Sequence, residues 1–277
     1  MRPSGAAYDW EFRWRWLILI GSQPALALMA HAISGVEEPW YAPAFSPWTG
    51  WLAVLVATSG ILLRIQATSA LRACVMASDN PDTSRFVVHG VYRSVRNPLY
   101  LSSLLLFGGY GLFFGWLWAI GFVAFHGWRY HRIVRLEESC LRPEWGEDFD
   151  AYCRSVPRWL PRWRDFRSEF GRWLSWHGVI ANSLYVSIWM GIAVSALQRN
   201  LGWVIPFECV GGGVMVTYYW VHSPDMAAAV AREIEHSESA PALPSDSPVP
   251  PVAGVDVPHF QVGSADRSRA IAIFEKR

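Results

Sequence analysis

Charge is scarce in this sequence. Only 17% of its 277 residues are Asp, Glu, Lys or Arg, against about 25% in an ordinary soluble domain. The charges that exist cluster between apolar stretches approaching the roughly 18–20 residues needed to cross a bilayer. An excess of one sign is also missing. With 24 basic and 23 acidic residues the net charge is +1, which leaves no basic footprint for a nucleic-acid partner. Cysteine is scarce. Cys74, Cys140, Cys153 and Cys209 form no CxxC pair and have no His at zinc-ligand spacing, so neither a metal site nor a disulfide framework is expected. They read as small apolar packing residues. The start, Met1-Arg2-Pro3 and then Arg mixed with aromatics from Trp10 to Trp16, lacks the pattern of a cleavable signal. The first apolar run is therefore expected to be a retained anchor.

What is present is apolar and aromatic: 52% hydrophobic residues, with 17 Trp. Span one is expected at about Trp16 to Ser34, with a kink at Pro24. An acidic loop follows, Val36-Glu37-Glu38-Pro39, and span two is expected at about Trp48 to Gln66. Trp40, Tyr41, Trp48 and Trp51 gather at its start, where an interface belt of aromatics belongs. Residues Arg72 to Arg96 are polar, with a turn cluster at Asp79-Asn80-Pro81-Asp82.

The apolar stretch Leu99 to Phe125 is punctuated by Gly108, Gly109, Gly111 and Gly115. Arg85, Arg93 and Arg96 precede it, and Arg129, Arg132 and Arg135 follow it. Positive flanks favour the cytoplasmic side, so both ends belong there and a helical hairpin is expected. Two helices of about 14 residues reach only about 21 Å each, short of a bilayer core of roughly 30 Å. From Arg135 to Trp163 the residues Trp145, Phe149, Tyr152 and Val156 form an apolar stripe among charges, the mark of an interfacial helix. Two further spans are expected at about Val179 to Leu197 and Trp203 to Val221. Past Pro224 a short polar helix reaches about Glu238. The Pro- and Ser-rich tail beyond it has too few apolar residues to order itself.

The expected fold is an all-α polytopic membrane protein of five to six transmembrane helices, including the short hairpin, with a cytoplasmic interfacial helix. It divides into two N-terminal spans (1–70), a core with the hairpin and interfacial helix (71–165), two C-terminal spans (166–225) and a mostly disordered tail (226–277). Both termini are expected in the cytoplasm; Arg199, in the loop between the last two spans, argues against that orientation.

The chemistry concentrates at one face. Val88-His89-Gly90-Val91-Tyr92 leads to Arg93, Arg96 and Asn97, and Pro98 opens the hairpin. Proline suits the first helical turn because its missing N–H has no partner there anyway. Asn97 and Tyr100 then stand at a helix mouth whose amides can hold an anionic group. On the same expected face stand Glu137 and Glu138. Two carboxylates at a membrane edge are costly if buried unpaired, so they are either solvated or facing a bound cation. The lone His89 and His131 read as surface groups, and His31 and His126 as residues for packing or a hydrogen bond. Arg132 and Arg135 read equally well as contacts for an acidic substrate group or as anchors to anionic lipid.

In order and spacing, Gly90-Val91-Tyr92, Arg96-Asn97-Pro98-Leu99-Tyr100, Glu137-Glu138, Gly146-Glu147-Asp148-Phe149-Asp150-Ala151-Tyr152 and Val156-Pro157-Arg158 resemble one family. It is the membrane methyltransferases that include isoprenylcysteine carboxyl methyltransferase and phospholipid methyltransferases. The resemblance covers roughly a quarter of the chain, about Phe86 to Pro161. It implies S-adenosylmethionine as cofactor, with Phe86, Val87, Gly90, Tyr92, Arg96, Asn97, Pro98, Leu99, Tyr100, Glu137 and Glu138 in its binding site. It implies a lipid or prenylated acceptor in the membrane, no metal, and a reaction governed by positioning and exclusion of water. Two positions depart from the family pattern. Asn97 replaces a His and cannot titrate, and Ser102 replaces a Gly. The segment Glu137 to Pro157 also resembles the tail of NADPH-dependent sterol reductases, although Leu99 stands where those proteins have Asn. A non-catalytic protein on the same scaffold is the third reading, motivated by Asn97 and the extra C-terminal spans.

Overall fold

The computed structural model describes residues 14–34, 46–71, 87–169 and 175–218. Phe86, the acidic loop, the 79–82 turn cluster, Cys74 and the tail lie outside them. The described residues are helical, with no strand among them. We number the α-helices α1 (Arg15–Ser34), α2 (Pro47–Leu71), α3 (Pro98–Gly111), α4 (Trp116–Ser155), α5 (Trp163–Glu169), α6 (Trp176–Ala181), α7 (Ser183–Gln198) and α8 (Leu201–Tyr218). By length and composition α2 and α8 can cross a membrane, while Pro98–Phe114 and α7 are shorter apolar helices.

Helix α2 is the centre of the bundle. It packs most extensively on α3 and also meets α6 and α7; α4 meets α3 and α1. The α2–α3 crossing is close because glycines face it. A Cβ on Gly60 would lie 2.6 Å from the Leu106 nitrogen, and one on Gly109 would lie 2.7 Å from the Ala53 carbonyl oxygen. Around this contact Leu106, Phe107, Phe113, Ile188 and Ile192 are buried. The outward face, with Trp48, Trp51, Leu55, Trp116, Leu117 and Ile120, is exposed and apolar, the inverse of a soluble surface.

The expected hairpin is present. Helix α3 starts at Pro98, passes through a 3-10 turn at Leu112–Phe114, and reverses at Gly115. The Gly115 φ of 109° is a conformation that side-chain-bearing residues avoid. The arms are unequal, where two of about the same length were expected. The first arm has 14 residues, whereas α4 runs for 40 with one non-helical residue, Gly146. The second arm and the expected interfacial helix are thus continuous up to that break. Nothing between Phe125 and Gly146 stops a helix except Pro143, which α4 accommodates. Helix α4 ends at Ser155 rather than near Trp163. Val156 is extended before Pro157, as residues preceding proline usually are. The expected stripe survives on this last segment, where Phe149, Tyr152 and Val156 form a small buried cluster. The fifth expected span is also divided, since α6 and α7 are separated at Asn182.

Candidate functional site

The site lies where the segment 87–97, the first turn of α3, and the Glu137-Glu138 level of α4 meet. The segment is folded by a 3-10 turn at Gly90–Arg93 and sewn to the chain that follows α4. Arg96 N donates to the Pro157 carbonyl (2.9 Å) and Arg162 N to the Ser94 carbonyl (2.9 Å). The Tyr152 hydroxyl donates to the Tyr92 carbonyl at 2.8 Å. Asn97 Nδ2 reaches the Arg158 carbonyl at 3.3 Å. These bonds join two stretches some sixty positions apart, and the Val-Pro-Arg element of the motif serves as their anchor.

The two acids have different surroundings. Glu138 is clamped by two arginines: Arg96 Nη1 donates to its Oε1 at 2.9 Å, and Arg158 reaches Oε1 at 3.1 Å and Oε2 at 2.5 Å. The same Arg96 Nη1 lies 2.9 Å from Cys153 Sγ. Glu138 and Arg96 are each only 13% exposed at the side chain, so this is a partly desolvated ion cluster, where removing one member costs more than at an open surface. Glu137 instead accepts from a neutral donor, the Tyr100 hydroxyl, at 2.6 Å. Its charge also reaches Tyr92. Burial first, then the Glu137 carboxylate, push the Tyr92 phenol above its ordinary value, and the Arg64 charge pulls it back. Burial likewise raises the Tyr152 phenol and the Cys153 thiol, the latter opposed by Arg96.

Helix α3 begins with Pro98 at its first turn, and the Asn97 side chain makes no cap bond to it. Asn97 thus leaves the first turn of α3 without a side-chain cap, and the Tyr100 side chain that leaves this turn meets Glu137. The tyrosine is backed by Tyr130, ring centroids 4.9 Å apart.

Of the residues singled out from sequence, Gly90, Tyr92, Arg96, Asn97, Pro98, Leu99, Tyr100, Glu137 and Glu138 come together here. Val87 packs near Tyr92, in the cluster under the segment. Phe86 lies outside the described residues. Arg132 and Arg135 are not brought in. They stand about 140–160° around α4 from Glu137; Arg135 is exposed and Arg132 lies over the Trp128 ring, 4.7 Å from its centroid. One further residue belongs to no motif and still reaches the site. Arg64, 4% exposed, donates from Nη1 to the Leu99 carbonyl at 3.2 Å. Its only sequence signal is a cation inside an apolar span. Arg158 is visible in sequence only as the last letter of a motif.

The sequence pattern described as phospholipid methyltransferase matches residues 48–148, from the start of α2 through the acid pair. The chain is similar to the nickel-cobalt-cadmium resistance protein NccN of Alcaligenes xylosoxydans xylosoxydans, 30% identical over 164 residues, 57% of this chain and 76% of that protein. The chain belongs to the phospholipid methyltransferase family. A second relative is the cobalt-zinc-cadmium resistance protein CzcN of Cupriavidus metallidurans, 28% identical over 158 residues, covering 56% of this chain and 64% of the relative. No solved structure matches the chain. The part that matches the phospholipid methyltransferase pattern contains α2, the hairpin and Glu137-Glu138. The anchor at Val156-Pro157-Arg158 and the helices α6 to α8 lie beyond it.

Proposed function

We propose that this protein is an S-adenosylmethionine-dependent methyltransferase whose acceptor is held in the membrane, a phospholipid amine or an isoprenylcysteine-like carboxylate. The observation that supports it most is the bond from Tyr100 to Glu137, made beside a segment sewn shut by Tyr152, Asn97 and Arg158. Bound S-adenosylmethionine supplies a methyl group on a positively charged sulfur. The groups in place fit that molecule. Glu137 offers negative charge to a cation, and the amides at the mouth of α3 offer donors to a carboxylate. Tyr92 and Tyr100 offer aromatic walls.

Glu138 has a different part. Its two arginines fix the segment that carries Tyr92 and Asn97, so it shapes the site from behind. Asn97 does the same by tying the segment to Arg158, a task that needs an amide donor and no titrating group. Methyl transfer depends chiefly on alignment and dryness, and the apolar flank of α3 against α2 and α4 excludes water beneath the site. The acceptor then approaches from the lipid side, between helices, with both chain termini and the donor site facing the cytoplasm.

Both relatives are named for metal resistance. Among the described residues no three His, Cys, Asp or Glu converge as metal ligands, and the methyl-transfer reading rests on the motif geometry instead. The test is ligand-dependent stability of the full chain in detergent, because a ligand that binds only the folded state raises the midpoint. S-adenosylmethionine is expected to raise it and NADPH to leave it unchanged. A shift with NADPH alone contradicts the proposal and favours a reductase.

A further inference from the structure

Arg64 lies inside α2, a helix apolar and long enough to span a membrane, yet it is 4% exposed. A cation buried there is expensive and is retained only where partners hold it. Its Nε donates to Asn182 Oδ1 at 2.9 Å, and its Nη1 to the Leu99 carbonyl at 3.2 Å and to Ser103 Oγ at 3.0 Å. The Tyr185 ring centroid is 3.5 Å from the guanidinium carbon. Asn182, fully buried between α6 and α7, is itself oriented. Its Nδ2 donates to Thr68 Oγ1 at 2.9 Å and to the Gly178 carbonyl at 2.7 Å, which leaves its oxygen aimed at Arg64.

The line of contacts ends at the donor site. Leu99 precedes Tyr100 in the first turn of α3, and its carbonyl also accepts from Ser102 and Ser103. Tyr100 in turn donates to Glu137. From below, the Arg64 charge reaches Tyr92, the same phenol that feels Glu137. Asn182 and Tyr185 lie past residue 148, where the family match stops.

We propose that Arg64 is a positioning residue for the methyl-donor site, and that the C-terminal helices act on that site through Asn182 and Tyr185. They hold the guanidinium, the guanidinium holds the Leu99 carbonyl and the Ser103 hydroxyl, and that turn of α3 sets where Tyr100 meets Glu137. The planar fork is needed because donors must leave it in two directions, toward α7 and toward α3. A lysine keeps the charge and loses that geometry. The inference rests on the methyl-donor reading above.

The test measures S-adenosylmethionine affinity by calorimetry, together with the unfolding midpoint, on the full chain in detergent. The variants are Arg64→Lys, Asn182→Leu and Asn182→Asp. Arg64→Lys and Asn182→Leu are expected to weaken donor affinity by about tenfold, the scale of one lost hydrogen bond to a charged group. Asn182→Asp, which retains an oxygen for Arg64 Nε but loses the amide's donations to Thr68 and Gly178, is expected to lower the midpoint while weakening affinity less than Asn182→Leu does. A lowered midpoint with unchanged affinity in both weakening variants shows a packing role only and overturns the inference. Should Asn182→Leu fail to fold, Arg64→Lys against wild type decides the same question. Wild-type protein that does not bind S-adenosylmethionine overturns the underlying reading as well; wild-type binding matched by Arg64→Lys overturns this inference alone.

Discussion

The Tyr100 hydroxyl donates to Glu137 at 2.6 Å, joining the first turn of one helix to the middle of another across 37 positions. A neighbouring pair, Arg96 and Glu138, closes the same junction with an ion pair. The two glutamates, adjacent in sequence, are thereby given separate tasks, and the variants below separate them.

Glu137→Gln is expected to weaken S-adenosylmethionine binding by at least tenfold, by removing a charge from a partly desolvated site where charged bonds contribute about 1.5–3 kcal/mol. Tyr100→Phe is expected to act in the same direction and less strongly. The check is a titration of each variant against wild type, with circular dichroism showing intact helix content.

Glu138→Gln strands two arginines and is expected to cost stability first. A loss of about 1–3 kcal/mol follows from leaving charged donors partly buried without their acceptor. The exposed pair Arg142 and Asp150, bonded at 2.9 Å, is the control. Its disruption is expected to cost under about 1 kcal/mol. Thermal unfolding in one detergent compares the two.

Gly60→Val is expected to be among the most damaging single changes outside the site. Its Cβ would meet main-chain atoms of α3 at 2.6 and 2.7 Å, which cannot move as a side-chain tip can. Overpacking of this kind costs about 1–3 kcal/mol. Gly121→Val, where an added Cβ meets nothing within 4 Å, is expected to be tolerated. Unfolding midpoints and yields of folded protein decide it.

Alkali is expected to destabilise the folded chain through Tyr92 and Tyr152. Both phenols are raised, chiefly by burial, so the folded state keeps protons that the unfolded state releases above its ordinary tyrosine value of about 10. The stabilisation is complete below that pH and is lost as pH rises through the raised values. Tyr152→Phe is expected to lower the midpoint at neutral pH, by losing the bond to the Tyr92 carbonyl, and to flatten its decline between about pH 9 and 11. Midpoints measured across that range show whether it does.

Much of this arrangement is legible in the sequence. Pro98 marks the start of α3, the glycine-rich stretch contains the Gly115 reversal, and the spacing from Tyr92 to Arg158 groups the site's parts. These are local signals, set by backbone restriction and by the apolar period. The continuity of α4 from Trp116 to the break at Gly146 is hidden because its charges resemble a boundary, whereas long arginine side chains tolerate an interface without ending a helix. Arg64 and Asn182 are hidden for a different reason. They meet across 118 positions, and neither residue has a neighbour in sequence that announces the contact. The separate fates of Glu137 and Glu138 are equally hidden, since successive helical residues look alike in sequence and differ by about 100° in direction.

The most direct measurement is transfer of labelled methyl from S-adenosylmethionine into lipid extracts of membranes containing either the wild-type chain or its Glu137→Gln variant. The account predicts label in the extract with wild type and little above background with the variant. Base-labile label identifies a carboxylate acceptor and stable label an amine. Equal labelling by the two proteins, or none by a wild-type chain shown to be folded, contradicts it.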